Sequence, residues 1–178
     1  MSAAGSASVR HPYLEHPGPV AFAHRGGAGD APENTFAAFE AAVALGYRYV
    51  ETDVHATRDG VLLAFHDERL DRVTDREGRI ADLPWSEVAR ARVGGSEPIP
   101  RLEELLDAWP ELRVNIDPKG DGAVEPLVAA LRKLVATPLP GGEFEVLSFE
   151  MQADWRDFPV YAFAMDREAI NEEYFEPP

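Results

Sequence analysis

The pattern that most constrains this chain is an alternation: apolar runs of strand length take turns with segments whose apolar residues recur at helical spacing. The runs at 20–24, 47–54, 61–66, 113–117 and 143–148 read as strands. Helical patterns cover 35–45, 85–91, 102–109 and 123–134. In the first of these, Phe36, Phe39 and Val43 recur at i, i+3 and i+7, and Gly46 follows as a stop signal. This order predicts a parallel sheet with helices outside it, either a (β/α) barrel or a doubly wound sheet. Residues 1–18, with Pro12 and Pro17, show no period and read as an N-terminal arm. The remainder, 19–178, reads as a single domain.

At 178 residues and 45% hydrophobic content, the chain can bury one sizeable core and is too short for two. No apolar run approaches the roughly 18 residues of a membrane helix, and the first residues lack the order of a signal peptide. A cytoplasmic protein is expected. With no cysteine, any metal must be held by oxygen or imidazole. The formal charge of −15 would repel a nucleic-acid backbone. A small anionic ester is not excluded, because a few cations can converge locally.

Four polar motifs interrupt the apolar runs. His24-Arg25-Gly26-Gly27 stands where the first strand becomes a loop, and its glycines permit close approach of backbone to a ligand. In Tyr49-Val50-Glu51-Thr52-Asp53-Val54, period 2 puts Glu51 and Asp53 on one face and the apolar residues on the other. Two carboxylates side by side on an interior strand repel unless something positive lies between them, and a hard cation is the usual answer. His66-Asp67 ends the run 61–65. Asn115, Asp117 and Lys119 alternate with Ile116 and Pro118, so they share a face. Taken singly, each motif has a bland explanation: a turn, a solvated strand face, a packing histidine, a strand running into a polar turn. Together they stand at the C-terminal ends of strands predicted to be parallel, where α/β barrels and open sheets place their active sites.

The run His24-Arg25-Gly26-Gly27, Pro32-Glu33-Asn34-Thr35, Glu51-Thr52-Asp53-Val54, Thr57-Arg58-Asp59-Gly60 and His66-Asp67 resembles the glycerophosphodiester phosphodiesterase family in order and spacing. The resemblance covers residues 20–120 strongly and extends weakly to about 149. It implies a (β/α) TIM-type barrel in which Glu51, Asp53 and Asp117 hold a divalent cation, Mg²⁺ or Ca²⁺. Arg25 and Lys119 would grip the phosphate, and His24 and His66 would be the acid/base pair. The implied reaction is hydrolysis of a small glycerophosphodiester to glycerol 3-phosphate and an alcohol. Asp117 stands where that family often has glutamate, which keeps the charge and shortens the reach by one methylene.

The resemblance and the length disagree. A complete (β/α)₈ barrel takes about 250 residues, and roughly 200 at the least. Five strands are legible by Ser148, and residues 160–164 offer one more. The barrel is therefore expected to be incomplete or shortened at its C-terminal end, atypical after about 149, with an open edge that favours self-association. The alternative expectation is a truncated, catalytically inactive relative that serves as a binding or interaction module. A Mg²⁺-dependent barrel enzyme of another kind, abstracting a proton beside a carboxylate, has no use for His24-Arg25 and His66 together.

Overall fold

The computed structural model describes residues 19–27, 29 and 31–136. The expected arm, the strand at 143–148, the segment 160–164 and the barrel edge they bear on lie outside these residues. Strand β1 (Phe22–Ala23) leads to helix α1 (Phe36–Ala44), strand β2 (Tyr49–Ala56) and strand β3 (Leu62–Ala64). Helix α2 (Trp85–Val88), strands β4 (Arg92–Val93) and β5 (Glu97–Pro98), helix α3 (Leu102–Ala108), strand β6 (Arg113–Pro118) and helix α4 (Asp121–Ala136) follow.

The centre of the sheet is β2, paired in parallel with β1 through Tyr49 and Val50, and with β6 along its length from Tyr49 to Val54. Since β1 and β6 both meet Tyr49, they occupy opposite edges of β2. The first strand is shorter than the apolar run 20–24 because the chain turns at His24 into a 3₁₀ turn, with Arg25 at φ 54° and Gly26 at φ 77°.

The run 61–66 is not parallel to its neighbours. Strand β3 pairs antiparallel with β2, Val54 opposite Ala64 and Ala56 opposite Leu62. The reason lies in the connection, residues 57–61 alone, whereas a parallel crossover takes a dozen or more. Gly60, at φ 79°, closes the turn and donates to the Thr57 carbonyl. The helix expected over 85–91 stops at Val88, and the β4–β5 hairpin that follows was signalled only by Gly94-Gly95.

Alternation along β3 divides the interior into two cores. Leu62 and Ala64 join the main one with Phe39, Val50, Val54, Leu105, Ile116 and Leu127, between the sheet and helices α1, α3 and α4. Leu63 and Phe65 point the other way and join Leu70, Ile80, Val88, Val93 and Ile99. The second core belongs to the excursion between β3 and α3, so this excursion is a packed subdomain with its own interior.

Thr35 caps α1 by accepting from the Ala38 amide, 3.3 Å. The stripe that α1 buries is Ala38, Phe39 and Ala42, whereas Phe36 and Val43 are half-buried. Two alanines let the helix approach the β1 turn closely: a Cβ added at Gly26 would lie 3.1 Å from Ala38 Cβ and from the Phe39 ring. Among the described residues no helix is long and apolar enough to cross a membrane. Phe39 is fully buried in this contact. Phe39→Ala is expected to lower stability by about 3–5 kcal/mol in urea unfolding, and a loss under about 1 kcal/mol would show that the helix–sheet contact is not a main support.

Candidate active site

The parallel register of β2 and β6 sets Glu51 beside Asn115 and Asp53 beside Asp117. Period 2 then gathers the carboxylates on one face. Glu51, Asp53 and Asp117 each offer an oxygen within 4.8 Å of the others. Asp53 is 1% exposed, a carboxylate that water cannot stabilise, and positive or donor groups surround it. Arg25 Nε lies 3.2 Å from one oxygen, Lys119 Nζ 3.1 Å from the other, and the Asn34 amide donates at 3.1 Å. Lys119 also donates to Asp117 at 2.6 Å, so one ammonium bridges the two strands. Burial opposes that charge, but Asp117 and Asp53 outweigh it and hold the lysine above its ordinary value.

Glu51 is less well compensated. Its carboxyl is pushed up, first by burial and then by the charges of Asp53 and Asp117, against the Arg25 amide and His24, which pull it down. The Arg25 amide donates to Glu51 at 2.9 Å, an arrangement that depends on the left-handed turn at Arg25. His24 is largely exposed and stands with Nε2 3.8 Å from Glu51.

Two atoms in this cluster are buried without a hydrogen-bond partner: Asn115 Oδ1, an acceptor on the residue beside Glu51, and Arg25 Nε, a donor whose approach to Asp53 lacks hydrogen-bond geometry. An acceptor without a donor next to three carboxylates suits a hard cation, and the Arg25 guanidinium brings to the same place a charge that suits an anion. The donor set is oxygen alone, so the residues fit Mg²⁺, Ca²⁺ or Mn²⁺ better than zinc. They could hold such an ion.

The antiparallel β3 returns His66 to the rim, where the next residue back, Phe65, donates its amide to the Asp53 carbonyl. The route differs from the expected one: a hairpin, and not a parallel strand, carries the chain to His66. The His66 ring meets Asp67 through Nδ1 at 2.7 Å, which leaves Nε2 for other work. Its carbonyl accepts from His55 Nε2 at 3.0 Å, and burial holds the His55 ring below its ordinary value. Beside His66 and Lys119 opens a cavity of about 580 Å³, bordered also by His55, Glu68, Arg79 and Asp121.

Several residues of the site carried no role in the motif reading. Asn34, at φ 54°, donates to Asp53 and accepts from Thr52 at 2.9 Å, which ties the start of α1 to β2. Glu33 accepts from Arg25 at 3.2 Å and from Arg72 at 2.6 Å. Glu33 and Asn34 lie in the Pro-Glu-Asn-Thr run, a turn-and-cap pattern that announces a helix start and hides these second uses. Arg72 also forks onto Asp67 through Nε and Nη2.

That fork, with His66 behind it, draws the Asp67 carboxyl down from 3.8 to about 2. A depressed folded-state value means stabilisation that is complete above the unfolded value and disappears as the pH falls through the folded one. The stability lost in Asp67→Asn relative to the parent chain should accordingly be largest above about pH 5 and shrink towards pH 2 in thermal melts. A deficit independent of pH would remove the carboxylate–guanidinium pair as its source.

Residues 24–136 match the model of the glycerophosphoryl diester phosphodiesterase family. A probable glycerophosphodiester phosphodiesterase 2 of Mycobacterium tuberculosis is 44% identical over 134 residues, 75% of this chain and 50% of the relative. A phosphodiesterase of Oleispira antarctica, solved in complex with the product sn-glycerol-3-phosphate, superposes with a TM-score of 0.60 at 33% identity, over 69% of this chain and 54% of that one. A glycerophosphodiester phosphodiesterase of Agrobacterium tumefaciens gives 0.58 at 35% identity, over 62% and 51%. The chain spans between about a third and about half of the length of the curated relatives it matches. The fold is part of the (β/α) TIM-type barrel of these structures, a shortened barrel to which the described residues contribute β1, β2 and β6 as parallel strands. With the match running from His24 through the whole carboxylate cluster to the end of α4, the chain belongs to the glycerophosphoryl diester phosphodiesterase family.

Proposed function

We propose that this chain hydrolyses glycerophosphodiesters to glycerol 3-phosphate and an alcohol, using Mg²⁺ or Ca²⁺ held by Glu51, Asp53 and Asp117. The observation that carries the reading is the convergence of these three carboxylates with Arg25 and Lys119 on the ends of adjacent parallel strands. A phosphodiester is an anion that repels nucleophiles, so its site must supply positive charge where charge develops in the transition state. A bound divalent cation would supply part of that charge as a Lewis acid. Arg25 supplies more: its guanidinium lies beside Asp53 and brings positive charge to the same cluster. Lys119 is its counterpart on the far side of Asp53.

The two histidines take the proton transfers. As the attacking oxygen bonds to phosphorus and the bond to the alcohol oxygen breaks, one imidazole accepts the proton of the nucleophile and the other returns one to the leaving alkoxide. His24 stands open to solvent beside Glu51, and His66 keeps Nε2 free because Asp67 engages Nδ1. The cavity next to His66 gives the alcohol room, and its border of charged and small residues suits a polar head group. The product complex of the Oleispira antarctica neighbour supports glycerol 3-phosphate as the retained part. The charge of −15 argues against a polynucleotide diester as substrate.

Turnover of several glycerophosphodiesters should require Mg²⁺ or Ca²⁺, stop in EDTA and return with the cation. His24→Ala and His66→Ala should each lower kcat by about 10²- to 10⁴-fold with the fold intact. A folded, cation-loaded chain without turnover would favour the binding-module alternative, and full activity in the double histidine variant would refute the proton-transfer roles.

A further inference from the structure

Between the two parts of the site runs a continuous line of charged contacts that the reaction above does not use. It starts at His66, whose Nδ1 meets Asp67 Oδ1 at 2.7 Å. The same Oδ1 accepts Arg72 Nη2 at 3.0 Å, while Arg72 Nε holds the other oxygen. Arg72 Nη2 then donates to Glu33 Oε1 at 2.6 Å, and that oxygen also takes Arg25 Nη1 at 3.2 Å. We propose that Arg72 is a positioning residue for His66: its guanidinium clamps the carboxylate that fixes the histidine ring and ties both to Glu33 beside Arg25. This rests on the proposed reaction, in which His66 transfers a proton.

The clamp has a firm base. Arg72 closes a 3₁₀ turn, Leu70–Arg72, whose Leu70 is 1% exposed in the core of the excursion. The backbone that carries the guanidinium is therefore held by packing. Arginine suits the position because its planar fork engages both carboxylate oxygens at once, and a carboxylate gripped at both oxygens cannot swing. Residue 66 is then fixed twice: its carbonyl by His55 and its ring by Asp67. With Nδ1 occupied, the ring presents Nε2, the atom that proton transfer needs.

Glu33, His66 and Asp67 also offer ligand atoms within 4.8 Å of one another, which raises the question of a second ion there. The two guanidiniums answer it. Arg25 and Arg72 already neutralise Glu33, and Arg72 neutralises Asp67, so this acidic group is spoken for in a way that Glu51 is not. A direct grip of Arg72 on substrate is the competing role for a half-exposed arginine, and it acts on binding, whereas orientation of His66 acts on the chemical step.

The test compares Arg72→Met, Arg72→Lys, Asp67→Asn and the Arg72→Met/Asp67→Asn double variant in the full chain. Arg72→Met should lower kcat by about 10- to 100-fold, the usual effect of losing a residue that orients a functional histidine, with KM nearly unchanged. Arg72→Lys keeps the charge without the fork and should recover only part of the loss. Because Arg72 acts through Asp67, the double variant should be no slower than Asp67→Asn alone. A raised KM at unchanged kcat, or penalties that multiply in the double variant, would overturn the proposal. ¹⁵N spectra of the neutral His66 ring give a readout that needs no turnover: the Nδ1–H tautomer in the parent chain should become a mixture in Arg72→Met. An unchanged tautomer overturns the proposal even in an active enzyme, whereas a tautomer shift in a chain without turnover supports the clamp and contradicts the reaction.

Discussion

Everything in this site is arranged around a buried carboxylate, Asp53, which is 1% exposed in the middle of a parallel sheet. Ionised carboxylates are not left in such places unpaired, because the lost hydration amounts to several kcal/mol even after relaxation. Three separate pieces of chain answer that demand: Arg25 from the turn after β1, Asn34 from the start of α1, and Lys119 from the end of β6. The requirement to satisfy Asp53 thus brings together the groups that the proposed reaction needs for the phosphate. Asp117 and Glu51 add further negative charge, and the Glu51 carboxyl is raised, first by burial and then by the charges of Asp53 and Asp117. A site short of positive charge, ringed by oxygen ligands and with an orphaned Asn115 oxygen, is one that a hard cation completes.

The excursion between β3 and α3 has a different task. Its own core, built on Leu63, Phe65, Leu70 and Ile80, anchors the hairpin that returns His66 and the turn that bears Arg72. The barrel strands hold charge against charge. The excursion holds a histidine at a set orientation over them, and the Glu33–Arg72 contact joins the two.

The legible part of this arrangement is the part encoded by local period. Glu51 and Asp53 share a face because they are two apart in a strand, and Asn115 and Asp117 repeat the pattern in β6, with Lys119 just past its end. Strand pairing in register then needs no long-range information beyond the parallel order of the elements. The antiparallel β3 ran against that order, although the brief connection at 57–61 encoded it. The Arg72–Glu33 contact lies outside any such reading: its partners are 39 residues apart, on a turn and a cap. Only the packing of the second core decides that they meet. Asn34 was obscured for another reason, since a polar residue ahead of a helix already has a local explanation.

The account stands on one claim, that the Asp53 cluster is a joint seat for a cation and a phosphate ester. A crystal structure of the chain grown with Mg²⁺ or Ca²⁺ and sn-glycerol 3-phosphate tests it most directly. The account predicts a cation about 2.0–2.6 Å from oxygens of Glu51, Asp53 and Asp117, with phosphate oxygens against Arg25 and Lys119. A cation bound elsewhere, or a phosphate seated away from both side chains, would contradict it.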